Sequence, residues 1–189
     1  MKPLSARSFL VLATGLVTLF VVFALLYHRD RGRRETSGSL AHVRNTFELV
    51  VQAPYPEAAC LFGPEGERGW SQGHWNPQFL YPQPAQDIEG AVFTIQHSHY
   101  QSLWVNTRMS TNDRHFQYVY FIPDILVTTI DVRFRPIDAA HTQVAVTYDR
   151  TALTTQANET VRHLGQKDSR SGPDWERAVN AYLAQQQAK

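Results

Sequence analysis

Residues Ile125–Leu153 read "ILVTTIDVRFRPIDAAHTQVAVTYDRTAL". In the first half Ile130, Val132 and Phe134 alternate with Thr129, Asp131, Arg133 and Arg135, and "TQVAVTYDRTAL" repeats the pattern. A period of two, rich in β-branched and aromatic residues, predicts two half-buried strands. Only the short polar run "PIDAAH" separates them, so they pair as antiparallel neighbours. Upstream, "AVFTIQH", "SLWVNTRM" and "HFQYVYFI" alternate likewise, with "SHYQ", "STNDR" and "PD" between the strands. The five form an antiparallel meander.

Another strand precedes them, because Val43, Asn45, Phe47, Leu49 and Val51 alternate with Arg44, Thr46 and Glu48. Pro54 and Pro56 end it, and Pro56 suits the first turn of a short helix that reaches Phe62 and stops at Gly63. Beyond Thr154 the period lengthens. Ala157, Val161 and Leu164 fit one helical face, and Trp175, Ala178, Val179, Tyr182 and Leu183 fit another. "SGPD" lies between them, with Ser171 as expected N-cap and Asp174 completing a capping box, so the helix is expected to break or kink near Gly172. The terminal helix is the only large amphipathic partner for the sheet. The fold class is therefore α+β: a curved antiparallel β-sheet gripping a long C-terminal α-helix, with a cavity where the helix leaves the sheet uncovered.

The 189 residues carry a net charge of +1, with 43% hydrophobic and 12% aromatic side chains, which suits one globular domain plus an appendage. The charge is unevenly divided. Residues 1–34 hold six Lys and Arg against Asp30, while residues 35–189 hold twelve basic and sixteen acidic side chains. An acidic body is a poor partner for phosphate, so nucleic acid binding is not expected. Phe9–Tyr27, "FLVLATGLVTLFVVFALLY", is uncharged and as a helix would span about 28 Å, close to a hydrocarbon core of about 30 Å. The run is too long for a signal peptide core and is followed by "HRDRGRR" rather than a small-residue cleavage site. Residues 1–34 thus read as a single-pass membrane anchor with a basic flank (transmembrane 9–27), residues 35–41 as a tether, and 42–186 as the folded domain. Arg29, Arg31, Arg33 and Arg34 outnumber Lys2 and Arg7, which puts the C-terminal domain in the cytoplasm by the positive-inside rule.

Residues 42–186 resemble the START-like helix-grip superfamily (SRPBCC), near its polyketide cyclase/dehydrase and lipid-transport-like members. The resemblance is carried by "HVRNTFELVVQAP", "YPEAACLFGPEGERGW", "WNPQFLYPQP", "EGAVFTI", "LWVNTRM", "FQYVYFIP", "VTTIDVRFRP", "TQVAVTYDRTALT" and "DWERAVNAYL", in order. It implies a pocket more strongly than a reaction, since the superfamily spans lipid carriers, receptors and cyclases. It also bears on Gly63–Pro77, "GPEGERGWSQGHWNP", which shows neither a helical nor a strand period. In the superfamily this region forms a short second helix and a loop over one mouth of the cavity. Trp70 and Trp75 are then either lid residues or a plug at the sheet edge. Candidates to line or gate the cavity are these two, Phe93, Trp104, Tyr118 and Tyr120 from the sheet, and Trp175 and Tyr182 from the last helix.

Catalytic signatures are thin. There is no P-loop, C-x-x-C or H-E-x-x-H. His97 and His99 share a strand face and could meet His115 at a metal, but no carboxylate follows at a diagnostic spacing, so no metal or cofactor is assigned. Asp131 can pair with Arg133, within an outward polar stripe of Thr129, Asp131, Arg133 and Arg135. The lone Cys60 reads as a small buried residue. The expected function is membrane-anchored binding of an apolar or amphipathic, lipid-like small molecule. The alternatives are a cyclase- or hydrolase-type enzyme with Asp131 or His97 as acid/base, or a partner-binding protein whose cavity has collapsed.

Overall fold

The computed structural model describes residues 38–71, 73 and 75–188. The apolar helix expected at residues 9–27 lies outside them, and among the described residues no helix is long and apolar enough to cross a membrane. The chain runs β1 (His42–Val51), α1 (Tyr55–Cys60), α2 (Pro64–Trp70), β2 (Gln78–Tyr81), β3 (Val92–Gln96), β4 (Gln101–Ser110), β5 (His115–Ile122), β6 (Leu126–Pro136), β7 (Thr142–Ala152), α3 (Asn158–Asp168) and α4 (Gly172–Gln187). The strands form one antiparallel sheet in the order β1-β7-β6-β5-β4-β3-β2. The meander and the N-terminal strand are as the alternation predicts, and β1 closes against β7 at the far edge.

Two elements carry no readable period in the sequence. β2 is a four-residue strand that turns only Phe79 inward, opposite Phe93, and four residues are too few to show a period. Gly63–Pro77 likewise shows no period, yet it contains the short second helix that the resemblance implies, at Pro64–Trp70. Pro64 occupies its first turn, where no N–H is needed. Asp87, far along the chain, accepts hydrogen bonds from the backbone N–H groups of Glu65 (2.8 Å) and Gly66 (3.2 Å) and so satisfies the helix start. The glycines serve close approach. A Cβ on Gly66 would lie 1.9 Å from the Cys60 carbonyl oxygen, and one on Gly69 2.6 Å from the Tyr182 ring.

The C-terminal helix breaks where expected, but not through a capping box. Ser171 Oγ donates back to the Lys167 carbonyl at 3.0 Å, and Asp174 pairs with Arg177 instead. Pro173 cannot continue α3, and Gly172 packs against the Glu48 carbonyl. α4 then runs beside β1. Glu176 and Asn180, one turn apart, accept from the backbone N–H groups of Val50 (2.8 Å) and Gln52 (2.9 Å), and Asn180 donates to the Val50 carbonyl (2.9 Å). An open sheet edge is thereby satisfied by helix side chains.

On the inner face, one cross-strand row runs Phe79, Phe93, Trp104, Tyr120, Thr128, Arg150, Val43. Phe79, Phe93, Trp104 and Tyr120 stack in sequence, with ring centroids 5.4, 5.7 and 4.2 Å apart. Next to Val43 the row carries Arg150, only 4% exposed, whose guanidinium donates to both oxygens of buried Asp168 (Nε 2.6 Å, Nη2 2.8 Å) and to Thr128 and the Tyr120 hydroxyl. It also lies 4.4 Å over the Tyr148 ring. Burial by itself would lower the guanidinium's proton affinity, but the bonds to Asp168 and the nearby Tyr120 and Asp168 charges raise it.

Truncating one partner leaves the other charge buried and unpaired. Asp168→Ala should therefore cost about 3–5 kcal/mol in urea unfolding, while the double change Arg150→Met with Asp168→Leu should recover most of it. A loss under about 1 kcal/mol for Asp168→Ala would mean that the guanidinium is hydrated rather than buried.

Candidate functional site: an aromatic cavity over the sheet

Because α4 is held at the β1 edge, it leaves the middle of the inner face open. A cavity of about 720 Å³ occupies that space. Its floor is Trp104, Tyr118, Ile130, Val132, Val146 and Tyr148 from β4 to β7. α2 and the following turn contribute Glu67, Trp70, Ser71 and Trp75, and α4 contributes Trp175, Ala178 and Ala181. Lys167, Asp174 and Arg177 add charge, and His97 comes from the β3–β4 turn. All four tryptophans of the chain border this one space.

The rings are fixed by both packing and hydrogen bonds. Trp70 is buried, packs edge-to-face on Trp175 (5.1 Å) and donates from Nε1 to the Leu61 carbonyl (2.7 Å). Trp75 stands nearly perpendicular to Trp104 (5.1 Å, 85°) and donates to the Pro64 carbonyl (2.8 Å). Trp104 donates to Ser102 Oγ (2.8 Å), and Tyr118 donates to the Phe62 carbonyl. Trp70 and Trp75 thus both wall the cavity and pack into the core, so the lid and the plug are the same pair of rings.

Of the other sequence candidates, Trp104, Tyr118 and Trp175 line the cavity. Phe93 and Tyr120 do not: Phe93 is enclosed between Phe79 and Trp104 and Tyr120 between Trp104 and Arg150, and Tyr182 is instead the contact of Gly69 between α4 and α2. The enzyme candidates separate. Asp131 is on the outer face and accepts from His115 Nε2 (2.6 Å) and Gln117 (3.2 Å) rather than pairing with Arg133. His97 borders the cavity, its Nε2 3.0 Å from Ser102 Oγ, and burial lowers its pKa. His97, His99 and His115 are not brought together, and among the described residues no group of three His, Cys, Asp or Glu could hold a metal ion. Cys60 is exposed rather than buried, and borders a second cavity of about 540 Å³ between α1 and the β4–β5 turn.

Sequence reasoning missed two groups. Arg150 shares the inward parity of Val144, Val146 and Tyr148, and a charge in that register was a readable sign of a buried partner. Glu67 gave no such sign, because the short second helix that the resemblance implies here has no period to show which of its residues turn inward. Burial pushes its carboxyl well above the ordinary 4.5, and the neighbouring Asp87 adds to the rise. Burial likewise raises Asp87, against the lowering effect of its bonds to the Glu65 and Gly66 N–H groups.

A carboxyl whose folded pKa is raised favours folding only as the neutral acid. Its contribution is complete below pH 4.5 and is lost as pH rises through the raised value. Glu67→Gln should match the parent in thermal midpoint at low pH and gain on it progressively through neutral and alkaline pH. Thermal scans of both chains across pH check this, and a constant offset would mean that the carboxyl is hydrated.

No family model matches the chain, and no curated protein matches it. Solved structures do. An uncharacterized protein from Rhizobium leguminosarum aligns with a TM-score of 0.54 at 15% identity, over 78% of this chain and 97% of that one. The ZhuI aromatase/cyclase from a Streptomyces species gives 0.53 at 15% identity, over 80% and 97%. Norcoclaurine synthase from Thalictrum flavum gives 0.55 at 8% identity, over 77% and 87%. At such identities the likeness concerns the fold and not the chemistry. The seven-stranded curved sheet with its terminal helix aligns with these structures over most of the chain, and this is the helix-grip fold.

Proposed function

We propose that this protein is a membrane-anchored binder of an apolar or amphipathic small molecule, lipid-like in character, held in the helix-grip cavity on the cytoplasmic side. The observation that carries the reading is the open space of about 720 Å³ walled by four tryptophans. Its size falls in the range of about 300–1,000 Å³ typical of small-molecule sites. Apolar ligand surface removed from water there is worth about 25 cal/mol per Å². An anchor at residues 9–27 would keep the domain near membrane-derived ligands at high effective concentration. A cavity of this volume is not what a purely surface-acting protein with a filled interior would have. An acid/base enzyme remains the second reading, and it draws on Glu67 and His97, which border the cavity and whose acidity burial shifts, rather than on Asp131.

The test is native mass spectrometry of the full chain purified in detergent, together with alkaline carbonate extraction of membranes that contain it. The chain should stay in the membrane pellet and carry a stoichiometric apolar molecule, and Trp75→Ala should lower that occupancy. Release into the supernatant would overturn the anchor. A chain that stays empty against a panel of lipids and apolar metabolites would overturn the binding function, and a mass change in the bound molecule would favour the enzyme.

A further inference from the structure

We infer that the part of the ligand buried deepest beside α2 carries an uncharged hydrogen-bond acceptor, a carbonyl or hydroxyl oxygen, received jointly by Glu67 and Ser71. The inference rests on the binding function proposed above. Glu67 and Ser71 are four residues apart at the end of α2, so their side chains share one face, and both border the cavity. Among the described residues, Ser71 Oγ is buried without a hydrogen-bond partner. Among the described residues no donor reaches the Glu67 carboxyl, whose environment is set by burial and by Asp87.

Most of the neighbouring polar groups are already engaged, the exception being the Tyr148 hydroxyl on the sheet side of the cavity, which has no hydrogen bond among the described residues. Trp70 donates to Leu61, Trp75 to Pro64, Tyr118 to Phe62, and His97 is bonded to Ser102. Glu67 and Ser71 therefore hold the unused hydrogen-bonding capacity on the α2 side, and a single ligand oxygen between them could accept from both.

The charge around the pair selects the ligand. Asp87 from the β2–β3 connection, Tyr118 from β5 and Tyr148 from β7 interact electrostatically with Glu67. Glu65 and Arg68 on the same helix pair with each other (2.7 Å), and Arg150 beneath Tyr148 is committed to Asp168. The remaining cations that border the cavity, Lys167 and Arg177, come from α3 and α4. An anionic group beside Glu67 would meet two acids, Glu67 itself and Asp87, whereas a neutral oxygen gains two donors. Burial favours the protonated form of Glu67, which is the form that donates.

The test uses calorimetric titration of the full chain in lipid nanodiscs, with empty nanodiscs subtracted, against four probes with one apolar body. These are 4-phenyl-2-butanone, n-butylbenzene, 4-phenylbutanoate and 4-phenylbutylamine. The ketone should bind about fivefold to tenfold more tightly than n-butylbenzene and more tightly than either ion. Glu67→Gln should keep that preference through its amide N–H, while Glu67→Leu and Ser71→Ala should reduce it without weakening n-butylbenzene. Raising the pH should erode the preference in the parent and leave it unchanged in Glu67→Gln. Equal affinity for ketone and alkane, tightest binding by an ion, or an intact preference in Glu67→Leu would overturn the inference alone. Failure of n-butylbenzene itself to bind would overturn the binding function with it.

Discussion

Placing the Arg150 guanidinium under the sheet obliges the chain to bring an anion to it, and Asp168 is that anion. The pair is bidentate, with Tyr120, Thr128 and Tyr148 filling the remaining contacts, so the geometry offsets a desolvation cost that a single looser bond would not. Because Asp168 is the last residue of α3, the ion pair fixes where that helix ends over β7. The Pro173 break follows at once, and it redirects the chain along β1. The position of α4, and with it the shape of the cavity, descends from this one contact.

The cavity is the part of the inner face that α4 does not cover. Glu176 and Asn180 tie the helix to the exposed backbone of β1, which resolves the edge-strand problem and also keeps the helix off β4, β5 and β6. The space is then closed by α2 and its two flanking tryptophans. Stability and a hollow interior coexist here because the rings are anchored by N–H bonds to backbone carbonyls as well as by packing, so they need not collapse inward.

α2 is where electrostatics and shape meet. Asp87 satisfies the start of the helix from a distant loop, and in doing so it places a second acid near Glu67. A residue that stabilises the wall thus also tunes the charge of the site. The aromatic row from Phe79 to Tyr120 braces the floor: its Trp104 reaches the cavity, while Phe93 and Tyr120 stack on either side of it as scaffold.

The sequence by itself determined the strands from β3 to β7, β1, the break near Gly172 and the inward parity of Trp104, Tyr118 and Tyr120, because period and burial are local properties of the chain. It also carried the helix-grip resemblance. Tertiary structure decided the rest. α2 has no readable period because its cap comes from Asp87 and its glycines answer to Cys60 and Tyr182, contacts that no window of neighbouring residues contains. Asp131 was legible as outward-facing, but its partner His115 could be known only from the β5–β6 register. Glu67 became a site residue only when α2 folded over the sheet, since its altered acidity arises from long-range burial and not from its neighbours in sequence.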